Sequence, residues 1–121
     1  MKLFFLLGSI FAFLVIALGA FGAHGLEGKI SERSLQIWQK AVQYQMFQTG
    51  GLFIIAFLID KFGSTTQLMW AGWLSVIGII LFSGSLYILS VSGIKILGAI
   101  TPLGGLAFLV AWILVGISVM K

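Results

Sequence analysis

Long apolar stretches alternate with short polar segments along the whole chain. Three of the stretches, at about residues 3–23, 68–90 and 101–120, contain no charged residue. A helix needs about 20 apolar residues to cross a hydrocarbon layer of about 30 Å, and each of the three is long enough. The pattern therefore predicts a membrane-spanning helix at each of these positions. The last one is expected to begin with Thr101 as its N-cap and Pro102 at the first helical position, where the missing N–H costs nothing.

A fourth, less regular span is predicted at about residues 41–60. Its unbroken apolar part, Leu52 to Ile59, is too short to cross alone, so this helix must carry polar residues into the membrane. Just before it, at about residues 31–40, apolar side chains recur at nearly helical spacing among charged ones. This segment is predicted to be a short amphipathic helix at the membrane interface, with Ser31 as its N-cap.

The composition agrees with this pattern. Of 121 residues, 60% are hydrophobic and 8% are charged, whereas a soluble domain carries about 25% charged residues. The start of the chain up to Ala23 also fits a signal peptide, but its apolar run is at the long end for a cleaved segment. We therefore expect one transmembrane domain over residues 1–121, an all-α integral membrane four-helix bundle with a short interfacial amphipathic helix before the second span.

The charges are few and scattered. The net charge is +4, but the basic residues do not form a stripe interleaved with aromatic ones, which excludes nucleic acid as an expected partner. The positive balance instead favours contact with the anionic head groups of membrane lipids. The charges indicate the orientation only weakly, with the longer basic link on the cytoplasmic side, because the two sides of the membrane would carry similar numbers of cations. These are Lys2, Lys61 and Lys121 on one side, and Lys29, Arg33, Lys40 and Lys95 on the other.

Small residues recur on one face of three predicted spans. The chain contains 16 glycines, nearly twice the usual share of about 7%. In lipid, helices associate where small side chains allow close approach, so these faces are predicted to be packing surfaces. Their members are Gly8, Ala12 and Gly19 in the first span, Ala71, Ser75 and Gly78 in the third, and Gly104, Ala107 and Ala111 in the fourth.

The second span carries the strongest candidate for a functional site. Tyr44, Gln45, Gln48 and Thr49 follow helical spacing and can meet on one face. Two interpretations remain open: a binding site or a water or proton path, and a set of interhelical hydrogen bonds. Trp112 lies in the middle of the fourth span, so its indole N–H is expected to need a partner within the bundle.

His24 is the only histidine, and there is no cysteine. A metal site normally requires several such ligands, so no metal and no cofactor is predicted. His24 is expected either to bond a backbone group at the end of the first span or to join the polar site of the second. The serines of the third span have no base beside them, so no catalytic residue and no enzymatic activity are predicted.

Four motifs together resemble one known family, the small four-helix membrane proteins of domain-of-unknown-function family 423, which includes transmembrane protein 256. The resemblance implies a multi-pass protein of the bacterial cytoplasmic membrane and brings no established activity. The family often has Tyr-His where this chain has Phe47-Gln48, and glutamine does not exchange a proton at neutral pH. The motifs are Gly19 to Leu26, Trp38 with Ala41 and Tyr44 to Met46, Phe82 to Tyr87, and Leu97 to Gly105.

Two functions follow as hypotheses. The first is a non-enzymatic membrane protein that works through helix–helix contact, as a homo-oligomer or as an accessory subunit with a membrane-protein partner. The second is binding or transport of an apolar small molecule such as a lipid or quinone, whose polar end would meet the side chains of the second span.

Overall fold

The computed structural model describes residues 2–120, so Met1 and Lys121, the ends of the predicted domain, lie outside the described residues. The described part folds into four antiparallel helices, each long and apolar enough to cross a membrane. We number them α1 (Lys2–Leu26), α2 (Glu32–Phe62), α3 (Thr66–Ser92) and α4 (Leu97–Met120).

The helices pack in chain order, α1 against α2, α2 against α3 and α3 against α4. The apolar core lies near the end of the bundle that holds the α2–α3 connection. Phe4 of α1, Leu52 and Ile55 of α2, and Leu68 of α3 are all fully or almost fully buried there. The opposite end holds the two longer connections, α1–α2 and α3–α4, with most of the charged residues.

Local sequence signals account for most helix ends. The predicted N-cap at Ser31 is confirmed: its hydroxyl accepts a hydrogen bond of 3.1 Å from the backbone N–H of Ser34. Thr65 caps α3 in the same way. The residues that follow α2 and α3, Gly63 and Gly93, have φ values of +94° and +71°, which glycine adopts without strain.

The amphipathic segment before the second span is continuous with α2 and does not form a separate helix. Nothing between Ser31 and Ala41 interrupts helical hydrogen bonding, because the segment contains neither proline nor glycine. Trp38 and Ala41 are buried against the bundle, while Arg33 and Lys40 are exposed. The segment is therefore amphipathic as predicted, and it forms the first turns of α2.

The last helix begins at Leu97, four residues before the expected N-cap at Thr101. Tight backbone bonds close its start, among them one of 3.0 Å from Gly98 N–H to the carbonyl of Lys95. The Thr101 hydroxyl donates to the Leu97 carbonyl at 3.3 Å and does not cap a free N–H. Pro102 consequently lies inside the helix, where the α-helical bond to the Gly98 carbonyl is missing.

Two π-helical segments interrupt the regular α-helices. One ends α1 at Gly22–Leu26, and the other lies within α3 at Ile79–Gly84. A π-turn leaves backbone groups out of the regular ladder and shifts the faces that follow it. Both segments lie where the neighbouring helix comes close, at Trp38 and at Gly104 respectively.

Candidate functional site

Gln48 lies at the centre of the predicted polar face and is 1% exposed. Its side-chain amide donates to the hydroxyl of Ser75 in α3 at 2.9 Å. Its side-chain carbonyl accepts from the indole N–H of Trp112 in α4 at 3.1 Å, which confirms that this indole needed a partner within the bundle. The Ser75 hydroxyl in turn donates to the carbonyl of Ala71. One side chain of α2 therefore joins three helices.

Gln45 makes a second junction one turn earlier in α2, with 2% of its surface exposed. Its amide donates to the backbone carbonyl of Phe11 in α1 at 3.0 Å. Its side-chain carbonyl accepts from the hydroxyl of Tyr87 in α3 at 2.7 Å. The two glutamines together connect α2 to all three other helices.

The other predicted members of the polar site do not join this network. Thr49 is buried, but its hydroxyl makes no hydrogen bond with the described residues. Tyr44 is 44% exposed and lies on the flank of α2, about 100° around the helix from Gln45. His24 is exposed at the end of α1, in its π-turn, and takes no part in the hydrogen bonds of the two glutamines.

Sequence reasoning missed two interhelical bonds from side chains to backbone carbonyls. The indole of Trp38 donates to the carbonyl of Leu18 at 2.9 Å, where α1 passes into its π-turn. The hydroxyl of Ser83, in the π-segment of α3, donates to the carbonyl of Ala41 at 2.8 Å. The available signals were a tryptophan, whose indole N–H needs a partner when it is buried, and a serine within an apolar span.

A groove of about 590 Å³ opens sideways between α2, α3 and α4. Its walls are aromatic: the rings of Tyr44 and Phe82 meet edge to face at 4.7 Å, and those of Phe47 and Trp112 lie 5.8 Å apart. The Tyr44 hydroxyl has no hydrogen-bond partner among residues 2–120. The complete lining consists of Tyr44, Phe47, Gln48, Phe82, Pro102, Gly105, Leu106, Phe108, Leu109 and Trp112.

The small-residue faces turn towards the interior. Gly8, Ala71, Ser75, Gly78, Gly104, Ala107 and Ala111 are buried, and Ala12 and Gly19 are partly buried.

Most buried glycines accommodate an aromatic ring from a neighbouring helix. A Cβ on Gly8 would lie 3.0 Å from the ring of Phe53, and a Cβ on Gly51 would lie 2.6 Å from the ring of Trp112. Such distances leave no room for a side chain on these glycines without movement of the ring. The rings thus fill spaces that the missing side chains leave open, and the backbones there need not touch.

Among the glycines at residues 2–120, those of the α3–α4 contact would place an added Cβ against backbone atoms of the neighbouring helix. A Cβ on Gly104 would overlap the backbone nitrogen of Phe82, inside the π-segment of α3. Across the same contact, a Cβ on Gly78 would lie 3.1 Å from the carbonyl oxygen of Gly104. At this seam the small residues let two backbones come close.

The buried polar side chains of residues 2–120 are engaged mainly in hydrogen bonds. Among residues 2–120, no group of three His, Cys, Asp or Glu side chains could hold a metal ion. The buried amides and hydroxyls bond mainly to one another and to backbone carbonyls. The arrangement therefore fixes the relative register of the four helices.

Comparison with known proteins identifies the relatives of this chain. The family described as "Protein of unknown function (DUF423)" matches residues 18–105. Over 121 residues, all of this chain and 98% of the relative, the chain is 57% identical to the UPF0382 membrane protein YwdK of Bacillus subtilis (strain 168). It is 50% identical over the same coverage to the UPF0382 membrane protein SH2409 of Staphylococcus haemolyticus (strain JCSC1435).

No solved structure matches the chain. The resemblance seen in the four sequence motifs is confirmed by the family match. The chain has four apolar helices, and its relatives are membrane proteins. It is therefore an integral membrane four-helix bundle. The chain belongs to the DUF423 family of membrane proteins, whose function is unknown.

Proposed function

We propose that this chain is a non-enzymatic protein of the bacterial cell membrane that acts through helix–helix contact, as a homo-oligomer or as an accessory subunit. One observation carries the proposal: the side-chain amides and carbonyls of the two buried glutamines form hydrogen bonds within the bundle. Within residues 2–120 of a single copy, these bonds leave the two glutamines without a free side-chain group to offer a ligand or a water path. Its activity belongs to its outer surface.

The outer surface is suited to contact within the membrane. Side chains such as Phe13 and Ile16 of α1 are 71% and 73% exposed, and Leu106 of α4 is 58% exposed. Lipid tails are as apolar as these residues, so association there would depend on close packing. The groove between α2, α3 and α4 supplies a concave surface that a neighbouring helix could fill.

The test combines native mass spectrometry from lipid nanodiscs with cysteine cross-linking. The chain has no cysteine, so single cysteines can be introduced cleanly at Phe13, at Leu106 and at the buried Ala56 as a negative control. We expect a defined oligomer or a stoichiometric complex, with efficient cross-linking at one exposed position only. A monomer without a companion, or equal cross-linking at both exposed positions, would contradict the proposal.

A second candidate function is binding of an apolar small molecule with a polar end, such as a quinone or a lipid. The unpartnered Tyr44 hydroxyl beside the aromatic groove favours it. Here the contacts differ from the sequence-based hypothesis, because Tyr44 and Gln48 line the groove whereas Gln45, Thr49 and His24 do not.

A matched pair of glycine substitutions tests this candidate. Gly105 lines the groove, and a Cβ there would lie 3.8 Å from the Phe82 ring, so Gly105→Leu should fill the space. Gly116 lies on nearly the same face of α4, about 16 Å further along, with nothing near its added Cβ. We expect Gly105→Leu, but not Gly116→Leu, to abolish retention of ubiquinone in nanodiscs. Equal retention by both variants would rule out the groove as the binding site.

A further inference from the structure

A second groove lies at the other end of the bundle, between the first turns of α2 and the last turns of α3. It consists of two neighbouring cavities of about 260 and 320 Å³ that share Arg33 and Ile37. Leu86 and Leu89 of α3 form its far wall. Because Ile37 and these leucines are only partly exposed, the groove has an apolar floor.

Three cations border this apolar floor. Arg33 and Lys40 are seven residues apart, so they lie on the same face of α2, about 10 Å from each other along the helix. Lys95 reaches the groove from the α3–α4 connection, directly after the turn that Gly93 makes with its positive φ. Arg33 and Lys40 are more than 50 positions away from Lys95 in the sequence, yet all three charges lie around one groove.

No negative charge neutralises these cations. Neither cavity has a carboxylate in its lining, and Glu27 and Glu32, the acidic residues at this end of the bundle, are exposed and line neither of them. Among residues 2–120, Arg33, Lys40 and Lys95 form no ion pair. Like charges held around one groove favour an anion there, and a guanidinium beside ammonium groups matches a phosphate.

We propose that this groove binds the phosphate head group of an anionic glycerophospholipid. Free phosphate would gain nothing from Ile37, Leu86 and Leu89, whereas a lipid would place the beginning of an acyl chain on them. The position also fits a lipid, because the groove lies where the helices end and the charged connections begin. Basic pockets between transmembrane helices are a known form of head-group recognition. The site goes beyond the proposed contact function and does not depend on it.

The experiment compares two triple variants of the full chain in nanodiscs made from equal parts of phosphatidylglycerol and phosphatidylcholine. The test variant carries Arg33→Gln, Lys40→Gln and Lys95→Gln. The control variant removes the same net charge outside the groove: Lys2→Gln, Lys29→Gln and Lys61→Gln. The side chains of the groove cations make no hydrogen bond or ion pair among residues 2–120, so their replacement should leave the fold intact, as circular dichroism will show.

Lipids retained by the protein are then counted by native mass spectrometry. We expect the unmodified protein and the control to retain phosphatidylglycerol in preference to phosphatidylcholine. In the test variant this preference should fall at least about tenfold, because each cation near an anionic head group contributes about fivefold. If both variants lost the preference for phosphatidylglycerol equally, the preference would come from the overall surface charge and not from the groove. That result would overturn the proposal. Displacement of the lipid by inorganic phosphate would also overturn it, because the site would then recognise the free anion.

Discussion

Replacing Gln48 with methionine is the most direct test of the hydrogen-bond network. Methionine has a similar length and volume, so Gln48→Met keeps the packing and removes only the amide. Two interhelical bonds are lost, to Ser75 at 2.9 Å and from Trp112 at 3.1 Å. The Ser75 hydroxyl keeps its bond to the Ala71 carbonyl, whereas the Trp112 indole is left without a partner.

The magnitude follows from these contacts. Interhelical hydrogen bonds in membranes contribute about 0.6 kcal/mol each on average, so two of them amount to about 1.2 kcal/mol. The unpartnered indole of Trp112 raises the loss only a little, because its side chain is partly exposed to the groove. We expect Gln48→Met to lower the free energy of unfolding by about 1–2 kcal/mol.

The assay is equilibrium unfolding in mixed micelles with an increasing fraction of dodecyl sulfate, followed by circular dichroism. Gln43→Met is the matched control, because Gln43 is exposed on the same helix and makes no hydrogen bond with the described residues through its side chain. A double-mutant cycle with Trp112→Phe should give a coupling of about 0.6 kcal/mol. A loss below about 0.3 kcal/mol, or no coupling, would refute the reasoning.

Three further predictions concern single contacts. Gly104→Ala should destabilise the bundle by about 1–3 kcal/mol in the same unfolding assay, because the added methyl group overlaps the backbone of α3. The control Gly50→Ala, at an open position, should be neutral or stabilising. Equal effects of the two substitutions would contradict the close contact of α3 and α4. Trp38→Phe should lower stability by about 0.6 kcal/mol through loss of the bond to the Leu18 carbonyl, and an unchanged unfolding midpoint would show that this bond contributes nothing. Tyr44→Phe should leave stability within about 0.5 kcal/mol of the original while weakening ubiquinone retention, and unchanged retention would remove Tyr44 from the groove's function.

Much of the fold could be predicted because a bilayer restricts the choices. In a chain of this pattern, only helices can satisfy the hydrogen-bonding groups of the backbone across a membrane. Apolar stretches of sufficient length therefore identify the spans. The polar face of α2 was also visible, since Gln45 and Gln48 stand out within an apolar stretch. Most of their partners were not visible, because three of the four are a backbone carbonyl or a single hydroxyl group at positions that only packing brings together.

The positions of Tyr44 and His24 outside the hydrogen-bond network have geometrical causes. Spacing of four residues put Tyr44 beside Gln48, but the buried face of α2 is centred nearer to Gln45 and Leu52, which leaves Tyr44 on the flank. His24 lies at the end of α1, whereas Gln45 bonds the Phe11 carbonyl, more than three turns away along the same helix. Helical spacing gives relative angles on one helix, and it does not give the direction of the neighbouring helices.

The helix start at Leu97 and the two π-segments could not be predicted for a different reason. A proline at the first turn is the commoner arrangement, so Thr101-Pro102 indicated a start that tertiary contacts overrode. Ser85 bonds the Thr101 hydroxyl at 2.6 Å and engages that side chain within the helix. The π-segment of α3 fits the close approach of Gly104, which depends on a helix that follows later in the chain.

The two glutamine junctions also constrain how the protein is made. While the ribosome has delivered only α1 and α2, Gln45 and Gln48 have already entered the bilayer without Ser75, Tyr87 or Trp112. The helix that carries them is the least apolar of the four. Its stable integration thus waits for the second half of translation, and a truncated chain ending after α2 would be a natural substrate for membrane quality control.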